Sequence, residues 1–432
     1  MSKRSSLRDA FGFMHGNILV LTVTRVLGMF SRSMVFPYAS LYILALGGEA
    51  AQIGFVNSLR PLAGLLMYPL AGYIADLVGR VKLIALAGYL SGAITLMYVF
   101  APSWQMIALA GLLQGFIVFH FPASSAIIAD SLPPRDRGKG IAMMSTVAGA
   151  LATFSPYIAG TLIAIQGVNT GMRFLYAFLM VTNLASATIT LRFLKETSER
   201  SEEKLGFSDL PRTFRNAYSG IPAMLRRLPR SLKALAGVIV LGFMANAIAA
   251  PFWVVYVVEH IGLSSVEWGL ILLVEVALRN LMFMPAGVVV DRYGRTKSML
   301  ASLLLSLASI PLFILSTGFI DVLLIRSAVA ISNAFFIPAC SALMADMVPR
   351  DIRGRTMAAL GRGTFMIGSA AGGVGGPGMG FIITIPVMIA SIAGGYLYAY
   401  NPEYPWLFVT VVTVTSIILS ALFIRDPKEA EL

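Results

Sequence analysis

The sequence predicts an all-α membrane protein with twelve transmembrane helices in two pseudo-symmetric six-helix bundles, and three observations predict it. The 432 residues are 57% hydrophobic and 12% charged, with a mean hydropathy of +0.80; a soluble domain is about a quarter charged. Twelve runs are long enough to cross a hydrocarbon core, which takes about 20 mostly apolar residues. The chain also repeats itself with a period near 215 residues.

The runs are 16–45, 51–76, 82–101, 104–130, 139–165, 172–194, 232–259, 264–290, 297–317, 320–346, 381–400 and 405–424. In lipid a spanning segment must satisfy its own backbone, as a helix does, and the apolar/polar alternation of a β-barrel is absent. Residues 1–194 make the first half, 195–231 a charged linker and 232–432 the second half. Within the linker, Leu210–Arg230 reads as an amphipathic helix lying on the membrane surface. The second half carries an insert, 356–380. Its first part reads as a helix on the membrane surface reaching Ser369, and the glycine-rich 368–380 as a flexible loop before the eleventh run. The alternative is a broken eleventh helix whose unwound glycines line a cavity.

The net charge is +12, with 33 Lys and Arg. These residues collect in alternate loops: the N-terminus (Lys3, Arg4, Arg8), Arg80–Lys82, Arg135–Lys139, the linker, Arg292–Lys297, Arg350–Arg355 and the tail (Arg425, Lys428). The intervening loops hold Arg173. Such a bias places both termini in the cytoplasm of a cell bounded by this membrane. It sets the charge beside anionic lipid headgroups, with no nucleic-acid partner. Met1–Asp9 is polar and basic, unlike a cleaved signal peptide. A single cysteine, Cys340, leaves no disulfide framework and no metal set, and nothing implies a cofactor.

Two motifs carry the repeat. Gly72-Tyr-Ile-Ala-Asp76-Leu-Val-Gly79-Arg80-Val-Lys82 returns as Gly287-Val-Val-Val-Asp291-Arg-Tyr-Gly294-Arg295-Thr-Lys297. Pro122–Asp130 returns as Pro338–Asp346, each copy followed by a basic turn, Arg137-Gly-Lys139 and Arg353-Gly-Arg355. The G-x-x-x-D-x-x-G-R-x-K pattern after the second and eighth runs resembles the loop motif of the major facilitator superfamily. The resemblance extends over the whole chain. It implies two bundles rocking about a central cavity, monomeric by default and driven by an ion gradient; no Gly-rich nucleotide-binding loop ending in Lys-Ser/Thr occurs. It implies that Asp76 and Asp291 face a helix start of the other half, where the dipole favours an anion. It further implies that Arg80 pairs with Asp130 and Arg295 with Asp346, latching the cytoplasmic side.

Charges inside the spans are costly and usually functional. They are Arg25 and Arg32 in the first, Arg60 in the second, Glu275 and Arg279 in the eighth and Arg326 in the tenth, with His120 inside the fourth. Glu275 and Arg279 have the spacing of an ion pair along one helix, and a shift of 215 carries Arg60 onto Glu275. Glu275 is the candidate proton-binding carboxylate and His120 a candidate shuttle. The arginines form a candidate anion site. Phe36, Tyr38, Tyr42, Trp253 and Tyr256 are candidate pocket residues, and Trp104, Trp268 and Trp406 read as interfacial anchors.

The expected function is secondary transport of a small organic solute, proton-coupled and outward, loosely like the drug/proton antiporter branch. Three positions depart from that branch: Ser155 and Ala159 replace glycines of its fifth-helix motif, Gly111 stands at an arginine of the fourth helix, and the first helix carries arginines where a carboxylate is usual. The alternatives are a carrier of organic anions or phosphorylated metabolites, using those arginines, and a lysolipid flippase. No set of residues resembles an enzyme's catalytic group.

Overall fold

The computed structural model describes residues 15–133, 137–197, 226, 228–348, 353–361, 365–370 and 380–426, excluding the side chains of 68–70, 72, 73, 75–78, 353–355, 358 and 381. The linker's expected helix, Leu210–Arg230, lies largely outside the described residues. All described elements are helical or irregular, with no strand among them.

The first half comprises α1 (Asn17–Ala45), α2 (Ala50–Val78), α3 (Arg80–Val99), α4 (Trp104–Asp130), α5 (Arg137–Gln166) and α6 (Val168–Phe193). The second comprises α7 (Arg230–Glu259), α8 (Ser265–Tyr293), α9 (Arg295–Leu315), α10 (Phe319–Met347), the short α11 (Arg353–Leu360), α12 (Phe381–Tyr400) and α13 (Tyr404–Phe423). Among the described residues, eleven helices are long and apolar enough to span a membrane, and the 29-residue α2 completes the set of twelve. Pro37 and Pro251 sit in equivalent tight 3₁₀ turns, Phe36–Tyr38 and Ala250–Phe252, which interrupt α1 and α7. Proline lacks the N–H that a continuous helix needs. Gly79 (φ 87°) and Gly294 (φ 99°) make the breaks between α2 and α3 and between α8 and α9. A side chain is rarely tolerated in that conformation.

The halves meet along two seams, α2 against α12 and α5 against α8. At the end opposite the basic loops these seams are closed by glycines. A Cβ on Gly54 would come 2.8 Å from Gly395 Cα, and one on Gly160 would strike the Ser265 carbonyl. The Tyr38 hydroxyl ties the same end together, donating to the Pro156 carbonyl (2.7 Å) and, across the seam, to that of Ser265 (3.1 Å). Ser265 Oγ donates back to Gly160 (2.9 Å). Toward the basic loops, α1 packs on α5 and α6 of its own half. The contact of α1 with α7 runs through its last turns, Ala39–Ala45, against Trp253–Glu259.

Expectations for five aromatic residues are corrected. Trp268 and Trp406 are fully buried. Trp406 packs against Trp253 with ring centroids 4.4 Å apart, inside the second bundle, so neither anchors at a lipid interface. Tyr38, Tyr42 and Trp253 are likewise completely buried, filling the junction rather than lining an open pocket.

Candidate functional site

The basic end of each half is built alike. Arg80, first residue of α3, pairs with Asp130 at the end of α4, and Arg295, first residue of α9, pairs with Asp346 near the end of α10. The Arg137 Nε donates to the Ala129 carbonyl at 2.8 Å, drawing α5 onto the same corner. Lys82, Asp291 and Lys297 are exposed there. Gly72 lies in α2, and Gly287 lies in α8 with open space where a Cβ would project. The side chains of Asp76 and Arg353 lie outside the described residues.

Sequence reasoning missed two acids at these corners. Glu196, just past α6, accepts from the Val81 N–H (3.0 Å), while Thr197 Oγ1 accepts from Arg80 Nη1 (3.1 Å). Asp426, just past α13, accepts from the N–H groups of Arg295 (3.1 Å) and Thr296 (2.8 Å) and from the Thr296 hydroxyl (2.7 Å). Each carboxylate satisfies free N–H groups and meets the positive dipole end at a helix start. The signal was a basic-acidic dipeptide, Lys195-Glu196 and Arg425-Asp426, directly after the last span of each half.

A second cluster lies inside the second bundle. Glu275 is 4% exposed and Arg326 fully buried. Arg326 donates to Glu275 Oε2 through Nε (2.9 Å) and Nη2 (2.6 Å), and to the Gly368 carbonyl through Nη1 (2.7 Å). Its guanidinium carbon also stands 4.4 Å over the Trp253 ring. Glu275 was expected to pair with Arg279, its neighbour one turn along, and that pair is present but long, at 4.0 Å, with Arg279 Nη1 also reaching the Met366 sulfur (3.0 Å). A planar guanidinium facing the carboxylate from another helix makes the closer pair.

The partner of Arg326 corrects the reading of the insert. The helix expected to reach Ser369 ends at Leu360, before Gly361 (φ 79°). Residues 365–370 then run without helix through the bundle core, with Phe365, Ile367 and Ala370 buried. Asn333 of α10 holds Ile367 by a reciprocal pair, accepting from its N–H (2.7 Å) and donating to its carbonyl (2.9 Å). Asn246 of α7 donates to the Met366 carbonyl and accepts from the Ser369 N–H (3.0 Å). The segment is therefore a buried strap, not a helix on the membrane surface. Its backbone groups, which could not go unpaired in a dry core, are met by two asparagines and an arginine. Residues 371–379, the rest of the glycine-rich run, lie outside the described residues.

The first half is different at the same depth. Arg25 and Arg32 are exposed on α1, and Arg60 is half-buried on α2 with its guanidinium carbon 5.9 Å from the Phe36 ring. Arg32 folds back over Gly28, with Nη2 2.6 Å from where a Cβ would stand. None of the three joins an ion pair among the described residues. His120 makes a local hydrogen bond from its ring Nδ1 to the Ile117 carbonyl (2.7 Å). Among the described residues no three His, Cys, Asp or Glu side chains are grouped as metal ligands.

Comparison with known proteins agrees with this architecture. The family model described as Major Facilitator Superfamily matches residues 21–274 and 235–432. An uncharacterised MFS-type transporter of Methanocaldococcus jannaschii is 24% identical over 423 residues, 93% of this chain and 94% of that one. The multi-drug resistance efflux pump PmrA of Streptococcus pneumoniae is 29% identical over 173 residues, 38% of this chain and 42% of the pump. The crystal structure of a bacterial homolog of the human lysosomal transporter Spinster, inward-facing and unoccupied, superposes with a TM-score of 0.67 at 16% identity, covering 94% of this chain and 96% of that one. The last likeness is one of fold. The chain belongs to the Major Facilitator Superfamily.

Proposed function

We propose that this superfamily member exports a small organic solute by alternating access, in exchange for protons carried by Glu275. The observation that carries the reading is the burial of that carboxylate on α8, a seam helix, between Arg326 and Arg279. A buried ion pair is held only while both partners stay charged. Protonating Glu275 neutralises one partner and leaves Arg326 with the Gly368 carbonyl and the Trp253 face. The balance between α8, α10 and the strap then shifts, and α8 transmits the shift to α5 in the first half.

With the basic loops in the cytoplasm of a cell's plasma membrane, the glycine-closed end faces outward, and an exporter loads its substrate from the opposite, basic end. The paired corners, Arg80–Asp130 and Arg295–Asp346, keep each bundle rigid while it tilts. Outward transport is also the activity named for PmrA, which the chain resembles over part of its length.

Sealed proteoliposomes with an imposed pH gradient test this. Proton flux should accompany movement of a drug-like solute in wild type and vanish in Glu275→Gln. Undiminished coupled flux in that variant would sink the assignment of Glu275, and solute movement indifferent to the gradient would sink proton coupling.

A further inference from the structure

We infer that the first-half wall formed by Arg25, Arg32 and Arg60 is the substrate's headgroup site, and that the substrate is an amphipathic organic oxyanion, a carboxylate or a phosphate monoester. The inference rests on the transport reading above and names the substrate class for that transport.

Arg25, Met29, Arg32 and Phe36 fall on one face of α1, at helical spacing. The first three are exposed and Phe36 is half-buried, while Gly28, Ser31 and Val35 on the covered side are buried. Arg32 lies about 22 Å from the start of α1, counting the helical rise, so it is deep in the span. It is exposed at that depth while Gly28, Ser31 and Val35 beside it are buried, so it faces an open space rather than a packed helix. That space lies between the halves, because Asn17–Val35 packs on α5 and α6 and leaves contact with α7 to the later turns of α1.

The cations share this space. Arg32 is within electrostatic range of both Arg25 and Arg60, and His120 of Arg32 and Arg60. No carboxylate among the described residues pairs with them. The acid at membrane depth, Glu275, is occupied by Arg326 in the other half. Like charges gathered in a medium of low dielectric repel strongly, and a guanidinium's planar fork matches carboxylate and phosphate oxygens two at a time. An oxyanion bridging Arg32 and Arg60 relieves that repulsion, and an inorganic counter-ion leaves Met29 and Phe36 uncovered. An apolar body behind the headgroup covers them.

Equilibrium binding to purified protein, with no gradient imposed, separates this inference from the coupling model. The probes are 1-naphthoate (a water-soluble carboxylate), lysophosphatidate (a lipid phosphate monoester) and a naphthyl trimethylammonium salt of similar size. Wild type and Glu275→Gln should bind at least one of the two anions and not the cation. Arg32→Gln/Arg60→Gln should weaken that anion by 10-fold or more. Preference for naphthoate marks a soluble substrate and preference for lysophosphatidate a lipid one, either within the inferred class. Without ligand, the double variant should melt no lower than wild type, since removing mutually repelling cations relieves strain. A lowered melting temperature with unchanged anion affinity would make the arginines structural and overturn the inference, as would tight binding of the cation by wild type. Loss of proton coupling in Glu275→Gln together with unaltered anion binding would uphold both readings. Coupling that survives in Glu275→Gln sinks the proton role alone.

Discussion

The two halves follow one helix plan and part company where their positions correspond. Aligning the Pro37 and Pro251 turns sets Arg32 opposite Asn246, and the loop motif sets Arg60 opposite Glu275. In the first half those positions hold an exposed arginine and a half-buried one, neither paired with a carboxylate among the described residues. In the second they hold an amide and a carboxylate, both engaged: Asn246 by the strap, Glu275 by Arg326. The most apolar stretch of α7 is 72% buried against 39% for that of α1, so the strap fills the half whose polar groups are satisfied. A duplicated scaffold has thus divided its labour. One wall keeps its arginines without a carboxylate partner among the described residues, and the other is closed around a buried ion pair.

The sharpest way to break this comparison is to remove one intramembrane arginine from each half. Arg326→Met leaves Glu275 charged with Arg279 as its remaining, looser partner. It should cost about 3–5 kcal/mol of unfolding free energy, as loss of one partner of a buried pair does. Adding Glu275→Gln should recover most of that loss, because the orphaned charge goes with it. Arg60→Met should cost far less or stabilise, there being no acid to orphan. Chemical unfolding in detergent measures all three, and equal losses in the two halves would show that the first-half arginines also have protein partners.

How much of this was legible in the sequence follows from the range of each signal. The spans were legible because a bilayer demands long apolar runs, and each observed helix lies within a few residues of its run. Glu275 was legible as a carboxylate in such a run. Its partner was not, because Arg326 lies 51 residues away and sequence spacing displays only the neighbour along the same helix, Arg279. The strap was hidden for another reason. Glycine-rich chain reads as loop, and the groups that anchor it are backbone carbonyls and N–H groups, which have no letter. The readable trace was on the opposite side, in Asn246 and Asn333, amides set in apolar spans that needed partners. Trp268 and Trp406 misled because a tryptophan near a span end serves equally as anchor or core, and only packing decides.

A smaller effect is expected at the strap. Asn333→Ala removes both hydrogen bonds to Ile367 and leaves its N–H and carbonyl unpaired in the core, at about 1–3 kcal/mol per group. Exchange of the Ile367 amide hydrogen should accelerate at least 10-fold. In the first half, Ser31→Ala removes a buried hydroxyl that, among the described residues, bonds back to its own helix at Leu27 and Gly28, and should do almost nothing. If the Ile367 amide already exchanges freely in wild type, the strap is not the anchored element that makes the second half dense.

The smallest effect is the most telling about what the halves still share. Arg80–Asp130 and Arg295–Asp346 are partly exposed pairs, with side chains 20–41% and 29–20% accessible, so each should contribute about 0.2–1 kcal/mol in a double-mutant cycle. Both sit at a glycine turn, beside a carboxylate that caps the following helix, Glu196 in one half and Asp426 in the other. With the geometry repeated, the coupling energies of Arg80→Ala/Asp130→Ala and Arg295→Ala/Asp346→Ala should agree within about 0.5 kcal/mol, the usual additivity error. Agreement would confine the divergence of the halves to the membrane interior. A large coupling in one corner alone would mean that the basic end, too, has been specialised, with one corner bearing the latch and the other only closing a turn.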